Sequence, residues 1–463
     1  MTLARLIGPE IAEMLRSGDV SGFRSLFEEF HPADVAEIIQ SVPEDRRLVA
    51  FLAIDRKQQP LVFEYLPPEL QTRLLEDFKP DVLSHVLAEV APDVRTDLLQ
   101  ELPGPVARRL LEVLPAEERK RTLALLQYPE DSAGRTMTPE FLHIEAGATA
   151  ADVLAKVRKY GHEVETVYVI YVIDASQRLI GTLSLREAIM ADSSAQVRSF
   201  MTENVAFVRT IDPREQVLSQ MREYDLVAMP VVDAESRLVG IVTFDDMSDV
   251  AEEEATEDIL RMHGVATQND DYFTAGVFKK YRARVVWLVA LVFVSSASVL
   301  VQQAYNPVIV HLSLLAAYIT MITASSGNVG TQSAGILIRA ISTDGMDRKR
   351  LRGIFLREVV VGVGLSATMA FLAVALVLVR GADPLVLGGH ELWEVALVVG
   401  SAMMAALLTS NVLGAAIPLV MRALKLDPAV TAGPFITTAA DIVTVLLYFN
   451  IAEWVVLRGS TPA

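Results

Sequence analysis

Asp441 is the only charged residue between Pro428 and Ala452. It follows Thr437 and Thr438 by four and three positions, a spacing that puts three oxygen-bearing side chains on one helical face. A charge inside hydrocarbon is expensive and normally faces a bundle interior or a water-filled path. Two other uncharged stretches carry oxygen-rich runs: Ala324-Ser325-Ser326-Gly327-Asn328-Val329-Gly330-Thr331-Gln332, and Thr409-Ser410-Asn411 with Gly414 and Pro418. Small polar residues of this kind let helices approach closely, so helix packing is one use for them. Beside Asp441 they also describe a path lined by oxygen, with no thiol or imidazole cluster, the ligand preference of hard cations such as Mg2+ and Ca2+. The chain has no Cys and seven His, and the one His in an uncharged stretch, His311, reads as interfacial.

A second acidic feature lies outside these stretches. From Leu238 to Leu260 there is no Lys or Arg, while Asp245, Asp246, Asp249, Glu252, Glu253, Glu254, Glu257 and Asp258 supply eight acids. On a helix, Asp246, Asp249, Glu253 and Glu257 form one stripe of like charge, which destabilises the helix and repels acidic neighbours. A solvated linker is one reading of such a run. Its place between a repeated module and the apolar stretches favours relief by multivalent cations.

The elements that must position these residues follow from composition. Residues 1–130 carry 15 basic and 23 acidic groups, 131–280 carry 14 and 26, and 281–463 carry 12 and 9. An acidic portion is therefore joined to an apolar one. Clustered Lys and Arg, which a phosphate backbone needs, are missing from the acidic portion, so nucleic acid is not its partner. Five stretches, Val285–Gln303, Val308–Ile338, Val359–Val379, Val395–Met421 and Pro428–Ala452, are long enough to cross hydrocarbon at roughly 20 residues each. Lys279, Lys280, Arg282, Arg284, Arg348, Lys349, Arg350, Arg352, Arg357, Arg422 and Lys425 flank one side, against Arg380 and Arg458 on the other. This bias puts the N-terminus inside and the C-terminus outside. Met1–Leu15, with Glu10 and Glu13, lacks the apolar core of a secretory signal, so the N-terminal portion is expected in the cytoplasm.

Pro32, Pro43, Pro67, Pro80, Pro92, Pro103 and Pro115 punctuate the first 130 residues, often with acids following. Proline at a first helical position with acid in the first turn starts a helix, and Val82, Val86, Leu87 and Val90 have helical spacing. A stack of short helices is expected. A clearer repeat follows: Val172-Ile173-Asp174-Ala175-Ser176-Gln177-Arg178-Leu179-Ile180-Gly181 returns as Val231-Val232-Asp233-Ala234-Glu235-Ser236-Arg237-Leu238-Val239-Gly240, and Met137-Thr138 returns as Met201-Thr202. Each copy predicts strand, Asp-led turn, strand, helix. The pair resembles cystathionine-β-synthase-type (CBS) modules, which sense small molecules, often adenine nucleotides.

With these parts in order, the chain resembles the MgtE family of bacterial magnesium channels over essentially its whole length. The residues that carry the resemblance are Tyr128-Pro129-Glu130-Asp131-Ser132-Ala133-Gly134, the CBS pair, Glu254-Ala255-Thr256-Glu257-Asp258-Ile259, Gly327 to Gln332, Asp427-Pro428, and Pro434 to Asp441. The resemblance implies a multidomain fold: an all-α superhelical N domain (1–130), two α+β CBS domains (131–200 and 201–246), an acidic connecting helix (247–280) and an all-α membrane bundle of five helices (281–463). It implies a homodimer in the bacterial inner membrane, with Asp441 as the pore carboxylate and Asn328 in the signature segment lining the pore. Asp93, Asp97, Asp225, Asp246, Asp249, Glu254, Glu257, Asp258 and Asp427 resemble positions that hold regulatory Mg2+, and ATP is the candidate ligand of the CBS pair. Ser326 stands where relatives commonly have Gly and Thr320 where many have Pro, which bears on the shape of the second span. The expected activity is passive Mg2+ influx closed by cytosolic Mg2+. A cation-coupled transporter or exporter of Mg2+ or another divalent cation is the alternative. No phosphate-cradling loop is visible, which fits flux without ATP hydrolysis, and the chain is not expected to be an enzyme.

Overall fold

The computed structural model describes residues 30–265, 276–311, 314–343, 348–382, 390–428 and 433–459, with residues 14, 24, 27 and 387. The expectation about Met1–Leu15, Glu10 and Glu13 among it, falls outside the described residues. The chain divides into two compact units, Met1–Glu252 and Glu253–Ala463.

Among the described residues of the first unit, eight short helices run from Pro32: α1 (Pro32–Ser41), α2 (Glu44–Ala53), α3 (Gln59–Glu64), α4 (Pro68–Asp77), α5 (Pro80–Glu89), α6 (Pro92–Glu101), α7 (Gly104–Val113) and α8 (Ala116–Leu125). Pro32, Pro80 and Pro92 are first helical residues, as the spacing predicts. Pro43, Pro67, Pro103 and Pro115 sit one residue earlier, as caps with extended ψ between 135° and 149°. Proline suits both places because its fixed φ serves helix and extended chain alike. Buried Val86, Leu87 and Val90 join Phe51, Phe63 and Phe78 in one core. Arg95, fully buried, ties the stack together: it donates to the Leu87 carbonyl (2.9 Å), to Thr122 Oγ1 (2.9 Å) and to Glu118 Oε2 (2.6 Å). A buried cation survives only when paired and hydrogen-bonded in this way.

After the short helix α9 (Ala133–Thr136), the repeat folds twice as expected. The first copy comprises β1 (Phe141–Glu145), α10 (Ala150–Tyr160), β2 (Thr166–Ile173), β3 (Leu179–Ser184) and α11 (Leu185–Met190). The second comprises β4 (Val208–Arg209), α12 (Arg214–Glu223), β5 (Ala228–Val232), β6 (Leu238–Thr243) and α13 (Phe244–Met262). In each three-stranded sheet the first two strands are parallel and the last two antiparallel. Asp174 and Asp233 head the turns, each accepting from backbone N–H groups two and four residues on. The recurring Met-Thr pairs are exchanged between copies: Thr138 bridges to Ile241 of the second sheet and Thr202 to Thr182 of the first. A Cβ on Gly240 would come within 2.6 Å of the Met137 sulfur, and one on Gly181 within 3.0 Å of the Met201 sulfur. Glycine closes each repeat because the other copy's methionine packs there.

The connecting helix begins earlier than expected, at Phe244, with the Thr243 hydroxyl donating to Asp246 in its first turn, and runs to Met262. In the second unit follow α14 (Val277–Ala304), α15 (Asn306–His311), α16 (Leu314–Thr343), α17 (Arg348–Arg380), α18 (Leu392–Ala423) and α19 (Gly433–Gly459). Four helices, α14, α17, α18 and α19, are long and apolar enough to cross a membrane among the described residues. In the remaining expected span, Val308–Ile338, the described residues are helical in α15 and in the 30-residue α16. The oxygen-rich run dilutes the apolar character of α16 without shortening it. The core of this unit joins Leu315 and Ile322 of α16, Val399 and Leu407 of α18, and Tyr448 and Phe449 of α19. At the α16–α18 crossing, Gly330 and Gly414 bring backbone against backbone with no room for a Cβ, the small-residue contact that membrane helices use.

Candidate functional site

In the first unit, four carboxyl groups from four elements act on one another. Asp93 sits in the first turn of α6 with 5% of its surface exposed, and its Oδ1 has no hydrogen-bond partner. Glu64, at the end of α3, is fixed beside α6 by accepting from the Ala91 N–H at 2.9 Å. Asp246, in the first turn of α13, accepts from Thr243 Oγ1 at 2.5 Å. Glu165 precedes β2. Burial pushes the Asp93 carboxyl well above its usual range, and the charges of Asp246 and Glu165 add to the rise. Burial, then Asp246 and Asp245, push Glu165 up to about 7 although it is exposed; burial, with Asp245 and Asp249 adding, pushes Asp246 to about 6. Glu64 is raised by burial and by Asp246. Carboxylates that raise one another's pKa lack a counter-charge. Among the described residues no three acidic or imidazole groups converge into a finished cage, so a dication here would be held partly through water, as Mg2+ commonly is.

The expected residues distribute around this cluster unevenly. Asp93 and Asp246 are brought together, and Asp97 adds its charge to Asp93. Asp249 lies exposed on α13, raised by burial and by Glu252 and Asp245. Asp225 is elsewhere: with φ of 51° it lies on the rim of a cavity of about 830 Å³ in the CBS pair. That cavity is lined by Tyr171, Phe207, Tyr224, Glu187, Glu223 and Asp225 among others, with no Lys, Arg or His. Its deep end is apolar and buried. The Tyr171 hydroxyl there is buried without a partner, and burial keeps its phenol protonated. Glu64, Glu165 and Tyr171 are functional candidates that sequence reasoning missed, since no spacing links them to the motifs.

In the second unit the end of α13 is anchored. Arg261 pairs with Glu257 on its own helix and with Asp427 after α18, 2.5 Å away, and the charge of Glu254 bears on it as well. Asp258 is half-buried beside them. Gly264, in the left-handed region at φ 69°, lies against the Trp287 ring, and the Met262 carbonyl lies against Gly433 at the start of α19. Glu254, Glu257, Asp258 and Asp427 therefore gather at the foot of the helix that carries Asp441.

Asp441 is half-buried in α19, one turn beyond Thr437. Thr437 Oγ1 donates to the Gly433 carbonyl and meets Thr331 Oγ1 of α16 at 3.2 Å. Thr438 is 8% exposed and bonded to the Pro434 carbonyl, so the expected three-oxygen face narrows to Asp441 and Thr437. Asn328 is exposed on α16, in a row with Thr320, Ala324 and Gln332 at four-residue spacing. The other polar residues knit helices together. Ser326 accepts from Thr444 Oγ1 (2.7 Å), and its carbonyl accepts from Ser410 (2.7 Å). The Ser333 hydroxyl lies between two acceptors, Asn411 Oδ1 (2.9 Å) and Glu358 Oε1 (3.0 Å), which share its one proton. The Ser326 hydroxyl thus adds a bond between α16 and α19. Glu358 was hidden from sequence reasoning among the basic flank of the third stretch.

Family models match three successive regions: the MgtE intracellular N domain over residues 30–131, the CBS domain over 133–194 and 197–253, and the MgtE divalent cation transporter over 319–451. The magnesium transporter MgtE of Thermus thermophilus is 36% identical over 446 residues, 96% of this chain and 97% of that protein. That of Bacillus subtilis is 31% identical over 441 residues, 95% of each. The crystal structure of the cytosolic domain of the Mg2+ channel MgtE in complex with ATP matches with a TM-score of 0.50 at 37% identity, covering 52% of this chain and 98% of that one.

Proposed function

The chain belongs to the MgtE family of magnesium transporters, and from that premise we propose that it is a Mg2+-selective channel, a homodimer in the bacterial inner membrane, closed by cytosolic Mg2+. The observation that carries the reading is Asp441. It is a half-exposed carboxylate about 10 Å along a membrane-length helix from Pro434, at 1.5 Å per residue, and the foot of that helix touches the end of the acidic connecting helix. Asn328 and Gln332 lie exposed on α16, and such groups are costly against lipid, which favours a water-lined path or a second subunit over them. Five crossings, four helices plus α16, would leave the termini on opposite sides, and the Lys and Arg bias of the flanks supports N-terminal domains in the cytoplasm and a C-terminus outside.

Mg2+ dehydrates reluctantly, so a pair of Asp441 carboxylates meeting at a dimer axis would hold it through retained water, with Asn328 lining the approach. An inside-negative potential supplies about 4.6 kcal/mol per divalent ion per 100 mV, so no energy-coupling step is required. Closure follows from the crowded acids. Mg2+ at Asp93, Asp97, Asp246 and Asp249, and near Glu254, Glu257, Asp258 and Asp427, offsets their mutual repulsion and favours the arrangement in which they stay close. The cavity of the CBS pair would take an adenine nucleotide such as ATP as a second input. The test is Mg2+ flux into liposomes against internal Mg2+, with and without residues 1–258. The full chain should shut as internal Mg2+ rises and the truncated chain should not. Flux that persists against the electrochemical gradient when another ion is supplied would replace the channel with a coupled transporter.

A further inference from the structure

The cavity of the CBS pair has two unlike ends. Inward lie buried Tyr171, Leu183, Ala228 and Pro230, a surface suited to a flat base, with the unpartnered Tyr171 hydroxyl as a donor. At the mouth stand Glu187, Glu223 and Asp225, all exposed. Among the described residues that line the cavity there is no Lys, Arg or His to balance them. Arg186 and Arg222 adjoin Glu187 and Glu223 in sequence yet do not line the cavity. A base seated inward would send its phosphates toward three carboxylates, and like charges brought together in this way oppose binding. A dication carried on the phosphates reverses the sign of the encounter.

We infer that the CBS cavity takes an adenine nucleotide as its Mg2+ complex and rejects the free polyanion, with Tyr171 holding the base end and Glu223 and Asp225 facing the ion. This rests on the nucleotide reading of the cavity given above. It makes the site respond to nucleotide and Mg2+ jointly, so the same ion would act both at the acidic cluster and here. Mg2+ keeps several waters and is bound through one or two carboxylates together with substrate phosphates, which suits two exposed carboxylates.

The test is calorimetric titration of the full-length protein in detergent with ATP and with adenosine, each in excess Mg2+ and in EDTA. ATP should bind about tenfold more tightly with Mg2+, and adenosine equally in both, because only ATP brings charge to the mouth. Glu223→Gln with Asp225→Asn should narrow the ATP difference by strengthening binding in EDTA. Tyr171→Phe should weaken both ligands about fivefold, the loss of one hydrogen bond. ATP binding that is indifferent to Mg2+, or adenosine binding that gains as much from Mg2+ as ATP does, overturns the inference and leaves the nucleotide reading standing. Failure of both ligands to bind under every condition removes that reading and the inference with it.

Discussion

The acidic cluster of the first unit and the polar seam of the membrane unit use the same chemistry, oxygen ligands, in opposite ways. Around Asp93 four carboxyl groups from α3, α6, α13 and the approach to β2 are crowded until each raises another's pKa. Along α19 one carboxylate stands among hydroxyls already bonded to helix carbonyls. A site that must register an ion benefits from stored repulsion, since the ion's arrival then changes which arrangement is stable. A site that must pass an ion benefits from holding it weakly. Asp441→Ala is the sharpest way to break the contrast: Mg2+ uptake into liposomes should fall to background, while oligomeric mass and thermal stability stay as in the parent. Retained uptake would move the pore elsewhere.

The cluster should fail differently. Asp93→Asn with Asp246→Asn removes two of the four charges without removing volume, so closing at high internal Mg2+ loses part of its driving force while conduction is untouched. A loss of about 1 to 2 kcal/mol in the coupling corresponds to a midpoint for closure about 5- to 30-fold higher in internal Mg2+. The readout is flux against internal Mg2+. An unchanged midpoint with reduced maximal flux would assign the cluster to the path instead.

Much of this contrast was legible in the sequence, for physical reasons. Asp441 announced itself because a lone charge in an uncharged stretch is rare, and the CBS pair because its turn residues recur with Asp174 and Asp233 at the same place. Asp93 was named only through family resemblance, and Asp246 only as one acid of a stripe along the connecting helix. Nothing in local spacing ties a helix start at residue 92 to another at residue 244, and their two companions, Glu64 and Glu165, sit where only tertiary packing brings them. Thr438 misled because helical spacing gives direction but not what covers a face. Asp225 was grouped with the regulatory acids by resemblance alone, and the left-handed backbone turn that sets it at the cavity mouth could not be read from spacing.

The raised carboxyl groups also predict a pH dependence with a definite sign. In the folded chain Glu165 lies near 7 and Asp246 near 6, both above their usual range. The stability they allow is therefore fully present below the ordinary carboxylate range and is lost as pH rises through about 6 to 7. Glu165 is exposed, so solvent screens its share and Asp246 carries more of the effect. Without Mg2+, thermal unfolding of the full chain should come at a lower temperature at pH 8 than at pH 5.5. Mg2+ at pH 8 should close most of that gap, and the Asp93→Asn, Asp246→Asn variant should show little gap to close. A gap of equal size in the variant would trace the effect to the net charge of −17 rather than to the cluster.

The smallest expected effect lies between the two regions in character. Arg261 joins Glu257 and Asp427 at the foot of α19, with about a third of its side chain exposed. It competes with any cation for the same carboxylates. Exposed pairs of this kind contribute about 0.2 to 1 kcal/mol each, so Arg261→Ala should shift the closing midpoint only a few-fold. Its direction is the informative part. If Arg261 holds the closed arrangement in place of an ion, its loss raises the Mg2+ needed to close; if it merely competes with an ion at Glu257 and Asp427, its loss lowers that requirement. Attraction of Mg2+ to these carboxylates strengthens as ionic strength falls, so the second outcome should grow at low salt and the first should not.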